Sequence, residues 1–288
     1  PVKAFALSAG IPVYQFGKIR EHVSELAALG ADAMFTCAYG QLLTQAVLDV
    51  FPKGVWNAHA SLLPKFRGAS PVQSAILAGE RVTGVTVMKT ELALDAGDML
   101  LVKRCPIEEG ETSGELSEKL SALAADALCE AYDLISSDDE NLLLQDESAA
   151  TFCKKIKKED AKVDFSAPAD KVCALINAMS PSPAAFCMHG GKSVNLYRAF
   201  AEGDAEGVPG QVVGVTKLDE FVASLGHFQR CGVARRRRIF VGKRLCLPVG
   251  RCFCHGGEKQ KQHCRWRLQG RLSQFCHLHG QRTNPYQG

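Results

Sequence analysis

"GVWNAHASLLPKFRGASPVQ", residues 54–73, decides how the chain is read. The apolar pair Val55-Trp56 gives way to Asn57 and His59, two polar side chains that do not suit a strand interior. Side chains on an extended chain alternate, so Asn57 and His59 share one face and Trp56 and Ala58 the other. Beyond the Ser61–Pro64 turn and the basic Lys65 and Arg67, Ser70 and Pro71 supply an N-cap and a first helical position. A short strand with a polar end, followed by a turn and a helix, is the repeating step of an α/β protein.

The same alternation extends outward. "ADAMFTCAY", ending at Tyr39, is a short apolar run suited to a buried strand, and "EHVSELAALG" before it has helical spacing closed by Gly30. "VTGVTVMKTE" is rich in β-branched residues and "DMLLVKRCPI" can pair with it. "TSGELSEKLSALAADALCEAYDLI" reads as a long amphipathic helix opened by Thr112 or Ser113. Residues 1–136 are therefore expected to form an α/β domain with a mainly parallel, Rossmann-like sheet. The chain opens at Pro1 in the helix-like "VKAFALSAG", and further elements are expected upstream.

Composition changes near residue 137. Residues 137–152 read as a polar linker, and residues 153–223 as a small β-rich domain with one short helix, "PADKVCALINAM", and a hairpin turn at Gly190-Gly191. From residue 224 onward the sequence is atypical. After Arg230 begins, fourteen Lys or Arg stand against the single acid Glu258, together with six of the twelve Cys. Cys252, Cys254, His255, His263, Cys264, Cys276, His277 and His279 lack the paired spacing of a zinc site, so no metal is expected. Arg235 to Arg238 read as a solvated charge run, and a frameshifted C-terminus explains the segment's lack of periodicity.

With 288 residues, 46% hydrophobic and 23% charged, the composition is that of ordinary globular proteins. No run reaches the roughly 18 apolar residues of a membrane helix, and no signal peptide is evident, so a cytoplasmic protein with no membrane partner is expected. Cys37, Cys105, Cys129, Cys153, Cys173 and Cys187 lie in apolar surroundings and read as small hydrophobes.

In open α/β sheets reactive groups collect beyond the carboxyl ends of strands, where Asn57 and His59 lie. Asn donates, and His donates or accepts a proton, so the pair can polarise a carbonyl and hold the oxyanion that forms on attack. Proton removal needs a further group. "LALDAGDML" (92–100) offers Asp95 and Asp98 in a Gly-containing turn, which could equally be a solvated turn.

The order Asn57-x-His59-x-Ser61-Leu62-Leu63-Pro64-x-x-Arg67-Gly68, followed by Leu94-Asp95-x-Gly97-Asp98, resembles the folate-dependent formyltransferases. "RGASPVQSAILAGERVTGVTVM" is most similar to the branch that acts on methionyl-tRNA, rather than to the glycinamide-ribonucleotide or sugar-nucleotide branches. The resemblance covers roughly residues 1–223 and implies the formyltransferase fold, with its first elements missing, followed by a small OB-like β-barrel that binds tRNA. It implies 10-formyltetrahydrofolate as co-substrate, methionyl initiator tRNA as acceptor and a monomer. It further implies that Asn57 and His59 polarise the formyl oxygen, that Asp98 takes the amine proton through water, and that Ser61, Leu62, Leu63, Pro64, Tyr39 and Gly40 line the folate pocket. The alternatives are formyl transfer to another amine and an inactive fragment.

Overall fold

A computed structural model of the chain describes residues 2–201, 208–215, 221–223 and 237–240, all within the compact unit Pro1–Leu245. The first half contains α1 (Val2–Ser8), α2 (Val23–Ala27), β1 (Met34–Cys37), α3 (Gln45–Leu48), β2 (Val55–His59), β3 (Arg67–Gly68), α4 (Pro71–Ala78), β4 (Val82–Lys89), β5 (Met99–Pro106) and α5 (Ser113–Ser136). β6 (Phe152–Cys153), α6 (Ala169–Ala178), β7 (Ala185–His189), β8 (Lys192–Leu196), β9 (Arg198–Ala201), β10 (Val212–Val215), β11 (Phe221–Ala223) and β12 (Arg237–Phe240) follow.

The central sheet has the order β1-β2-β4-β5. β1 and β2 are parallel, with Thr36 opposite Asn57, whereas β2–β4 and β4–β5 are antiparallel, with His59 opposite Thr86. The α/β expectation holds: β1–β2 is parallel, as is the separate β3–β6 pair, and the two further pairings of the central sheet are antiparallel.

One face of this sheet is the main core. Trp56, Ala58, Val85 and Val87 pack on Leu116, Leu120, Ala124, Ala127, Ala131 and Ile135 of α5, which recur at helical spacing. Full burial of each large side chain contributes roughly 1.5–3 kcal/mol. A capping box starts α5: Glu115 N–H donates to the Thr112 hydroxyl, and the Thr112 N–H donates to the Glu115 carboxylate.

The second half is tied to the first by polar contacts at helix ends. Ser113 Oγ and Gly114 N both donate to Ser180 O, at 2.7 and 3.0 Å. Asn177 on α6 donates to Ala199 O and accepts from Ala199 N, both at 2.9 Å, so its amide imitates a neighbouring strand. β7 and β8 form the expected hairpin, with Gly190 and Gly191 both at positive φ, as a two-residue turn of this hand requires.

Two boundaries differ from the sequence expectation. Within the 137–152 linker, Leu143 exchanges backbone hydrogen bonds with Met99 at 2.8 Å in both directions, on the outer side of β5. Its apolar residues extend the sheet edge, so the segment is not a free spacer. In the 224–288 tail, β12 pairs with β9 and β11, giving the sheet order β10-β11-β12-β9. The Cys- and His-rich positions of the tail and its Arg235–Arg236 pair lie outside the described residues.

Candidate active site

Asn57 and His59 emerge from β2 on the face opposite α5, as alternation requires. On that face Leu63, Met88 and Met99 form a small cluster, and the Thr86 hydroxyl donates to Ser61 O at 2.8 Å, which fixes the Ser61–Pro64 turn over the strand. The Thr36 hydroxyl donates to Asn57 Oδ1 at 2.9 Å. With its oxygen taken, Asn57 presents Nδ2 as a donor.

His59 is 5% exposed. Its Nε2 lies 2.9 Å from Phe66 O, and a carbonyl only accepts, so Nε2 carries a hydrogen and donates. Nδ1 is then the ring nitrogen left open, and it faces Asp95 Oδ2 at 3.7 Å. That separation is beyond a direct hydrogen bond and leaves the carboxylate beside any proton that arrives. Gly68 N donates to the same Oδ2 at 2.8 Å.

The structure thus brings Asn57 and His59 together with Asp95, not with Asp98. Asp98 immediately precedes Met99, which pairs with Met88 on the Asn57 face, and alternation turns Asp98 away from it. Its carbonyl accepts from Lys89 N at 2.9 Å, holding it in the sheet. Asp95 occupies the turn's left-handed corner, with φ of +49°.

Behind Asp95 lies a polar network that sequence reasoning missed. Arg67, 2% exposed, gives Nε and Nη2 to Gln145 Oε1 and forms a two-pronged pair with the Glu147 carboxylate. That guanidinium holds the Glu147 carboxyl below the usual carboxylate range. Gln145 Nε2 donates to Asp95 O at 2.9 Å and Gly97 O at 2.7 Å. Gly68, at φ +119°, lies so close to Cys153 that a Cβ would overlap the Cys153 carbonyl. Burial pushes the Cys153 thiol up, making it a neutral packing group.

The expected folate residues are divided. Ser61 is fully buried and its hydroxyl donates to Lys65 O at 2.6 Å. Leu62 to Pro64 line a cavity of about 360 Å³ with Phe66 and Arg104. Tyr39 and Gly40 are exposed and line neither this cavity nor the larger one. The larger cavity, about 630 Å³, lies at the base of the Asp95 loop between Gln45, Phe51, Val55, Thr90, Leu92 and Ala93. The buried Thr90 hydroxyl has no partner among the described residues. No group of three His, Cys, Asp or Glu that could hold a metal, and no helix able to cross a membrane, occurs among the described residues.

Residues 16–132 match the formyl transferase family, and residues 155–227 match the formyl transferase C-terminal domain. The chain is 41% identical to a methionyl-tRNA formyltransferase of Chromohalobacter salexigens across 72% of its own length and 64% of that relative's. It is also 41% identical to the Stutzerimonas stutzeri methionyl-tRNA formyltransferase, across 77% and 71%. Among solved structures it is similar to HypX from Aquifex aeolicus in complex with tetrahydrofolic acid (TM-score 0.60, 21% identity, 76% of this chain and 37% of that one). It is likewise similar to the sugar 3N-formyl transferase WlaRD (TM-score 0.62, 16% identity, 84% and 81%).

Proposed function

Because the chain belongs to the formyl transferase family, we propose that its site moves a formyl group from 10-formyltetrahydrofolate to the amino group of methionyl-tRNA. The observation that carries the chemistry is the approach of Asp95 to His59, which shares one face of the carboxyl-terminal part of β2 with Asn57. Asn57 Nδ2 and the His59 ring donate to the formyl oxygen as negative charge develops there. The amine nitrogen bonds to the formyl carbon and loses a proton, and the bond from that carbon to the donor's nitrogen breaks as this nitrogen gains one. Asp95 receives the amine proton through water. Asp95 replaces Asp98 in this role.

The 630 Å³ cavity suits the flat ring of a folate. It is apolar on the Phe51, Val55 and Leu92 side. Leu63 and its neighbours shape the reaction cleft by packing on Met88 and Met99. The second half, which matches the formyl transferase C-terminal domain, is the part read as engaging the tRNA.

The test is formylation of methionyl-tRNA by the full chain and by Asn57→Ala and His59→Ala. Each variant is expected to lose on the order of 100-fold or more in kcat. Unchanged turnover in either variant, or transfer to an amino-sugar nucleotide in preference to methionyl-tRNA, would refute the assignment.

A further inference from the structure

We propose that Gln145, from the segment joining the two halves, is a positioning residue that sets Asp95 against His59. Its kinetic arm rests on the formyl-transfer reading above. Gln145 is 9% exposed and uses its full hydrogen-bonding capacity: Oε1 accepts from Arg67 Nε at 3.0 Å and Nη2 at 2.8 Å, and Nε2 donates to Asp95 O and Gly97 O. The amide can take only one orientation. Reversed, it would set its N–H groups against a guanidinium and its oxygen against two carbonyls. No other side chain of this length supplies two donors and two acceptor sites in one plane.

The two carbonyls it holds flank Ala96, so the backbone is pinned immediately after the corner from which the Asp95 carboxylate departs. From the other direction, Gly68 N fixes Asp95 Oδ2. Arg67 and Gly68 are consecutive in β3, and β3 pairs with β6 just beyond Gln145. The 3.7 Å separation of His59 and Asp95 therefore depends on one short strand gripping the carboxylate directly and its backbone through Gln145. Loss of the amide donors frees the loop without removing any group that touches substrate.

Gln145→Glu is the decisive variant in the full chain. It keeps the length and the acceptor for Arg67 but has no N–H for Asp95 O or Gly97 O. The expected result is a loss of about tenfold to a hundredfold in kcat, as a misplacement near 1 Å produces. The KM for the formyl donor stays within about threefold, because Gln145 holds the loop at Asp95 and Gly97 and not at the Thr90–Ala93 stretch that lines the larger cavity. The ¹⁵N NMR signals of the His59 ring move as the carboxylate leaves Nδ1. A folded Gln145→Glu protein with unchanged His59 signals, or a kcat loss no larger than the loss of folded protein, would overturn the proposal. If the parent chain forms no product, the formyl-transfer reading fails, and the His59 signals of the two proteins still decide the positioning role. Should the glutamate variant not fold, Gln145→Asn serves instead. It carries the same group one methylene short of both partners, and unchanged ring signals there also sink the idea.

Discussion

On β2, Trp56 and Ala58 face α5 while Asn57 and His59 face the loops, and the two sides cohere by different physics. The α5 face is a continuous apolar layer whose stability comes from many small contacts, none individually placed. The loop face is a set of directed bonds, Thr36 to Asn57, His59 to Phe66 and Gly68 to Asp95, in which each group depends on specific neighbours. A change on the first face should therefore cost stability and spare chemistry. A change on the second should do the reverse.

The strongest way to break that contrast is Leu116→Ala. Leu116 is fully buried beneath the sheet, so the variant should lose about 2–5 kcal/mol in urea unfolding. Its kcat per folded molecule should stay unchanged, and a core change that altered kcat would erase the distinction.

Thr36→Val attacks the other face at nearly constant volume. It removes the hydroxyl that orients Asn57, so kcat should fall about tenfold, equivalent to roughly 1.4 kcal/mol. Stability should fall by only about 1 kcal/mol, the typical net contribution of a single hydrogen bond. Steady-state kinetics alongside urea melts read both quantities, and a melt that moves more than the barrier would count against the contrast.

The smallest effect is expected at the start of α5. Burial tends to raise the Glu115 carboxyl, but its bonds to the Thr112 backbone and hydroxyl and to Arg198 outweigh this and hold it below its ordinary value. The folded value being the lower one, Glu115 adds stability above its ordinary value of 4.5 and withdraws it as pH falls from there toward the folded value. Glu115→Gln should flatten the stability profile in that acid window only. A variant with the parent's full acid slope would show that the helix start does not titrate with folding.

Local signals made much of the fold legible. The Thr112–Glu115 capping box, the apolar stripe of α5 and the Gly190-Gly191 turn each depend on neighbours a few residues away. Asn57 and His59 were legible for the same reason, since period-two alternation alone puts them on one face. The choice between Asp95 and Asp98 was not legible. Both lie in the same turn, and only pairing of the next strand with β4 decides which of them reaches His59. Thr36 carried a weak signal, a polar β-branched residue within an apolar run. Gln145 carried none, because a polar residue in a polar stretch acquires its role from contacts 48 to 78 positions away.

The bond exchange between Leu143 and Met99 bears on modularity. A stretch that looks like the natural place to cut and recombine the chain is stitched to the edge of the first sheet and reaches behind its reactive loop. A chimera joined before residue 143 would import a foreign brace for Asp95, whereas one joined after Glu147 would inherit the original. The functional border between the halves therefore lies downstream of the compositional one, and an ancestor that exchanged its second half at residue 137 would have had to re-evolve its first.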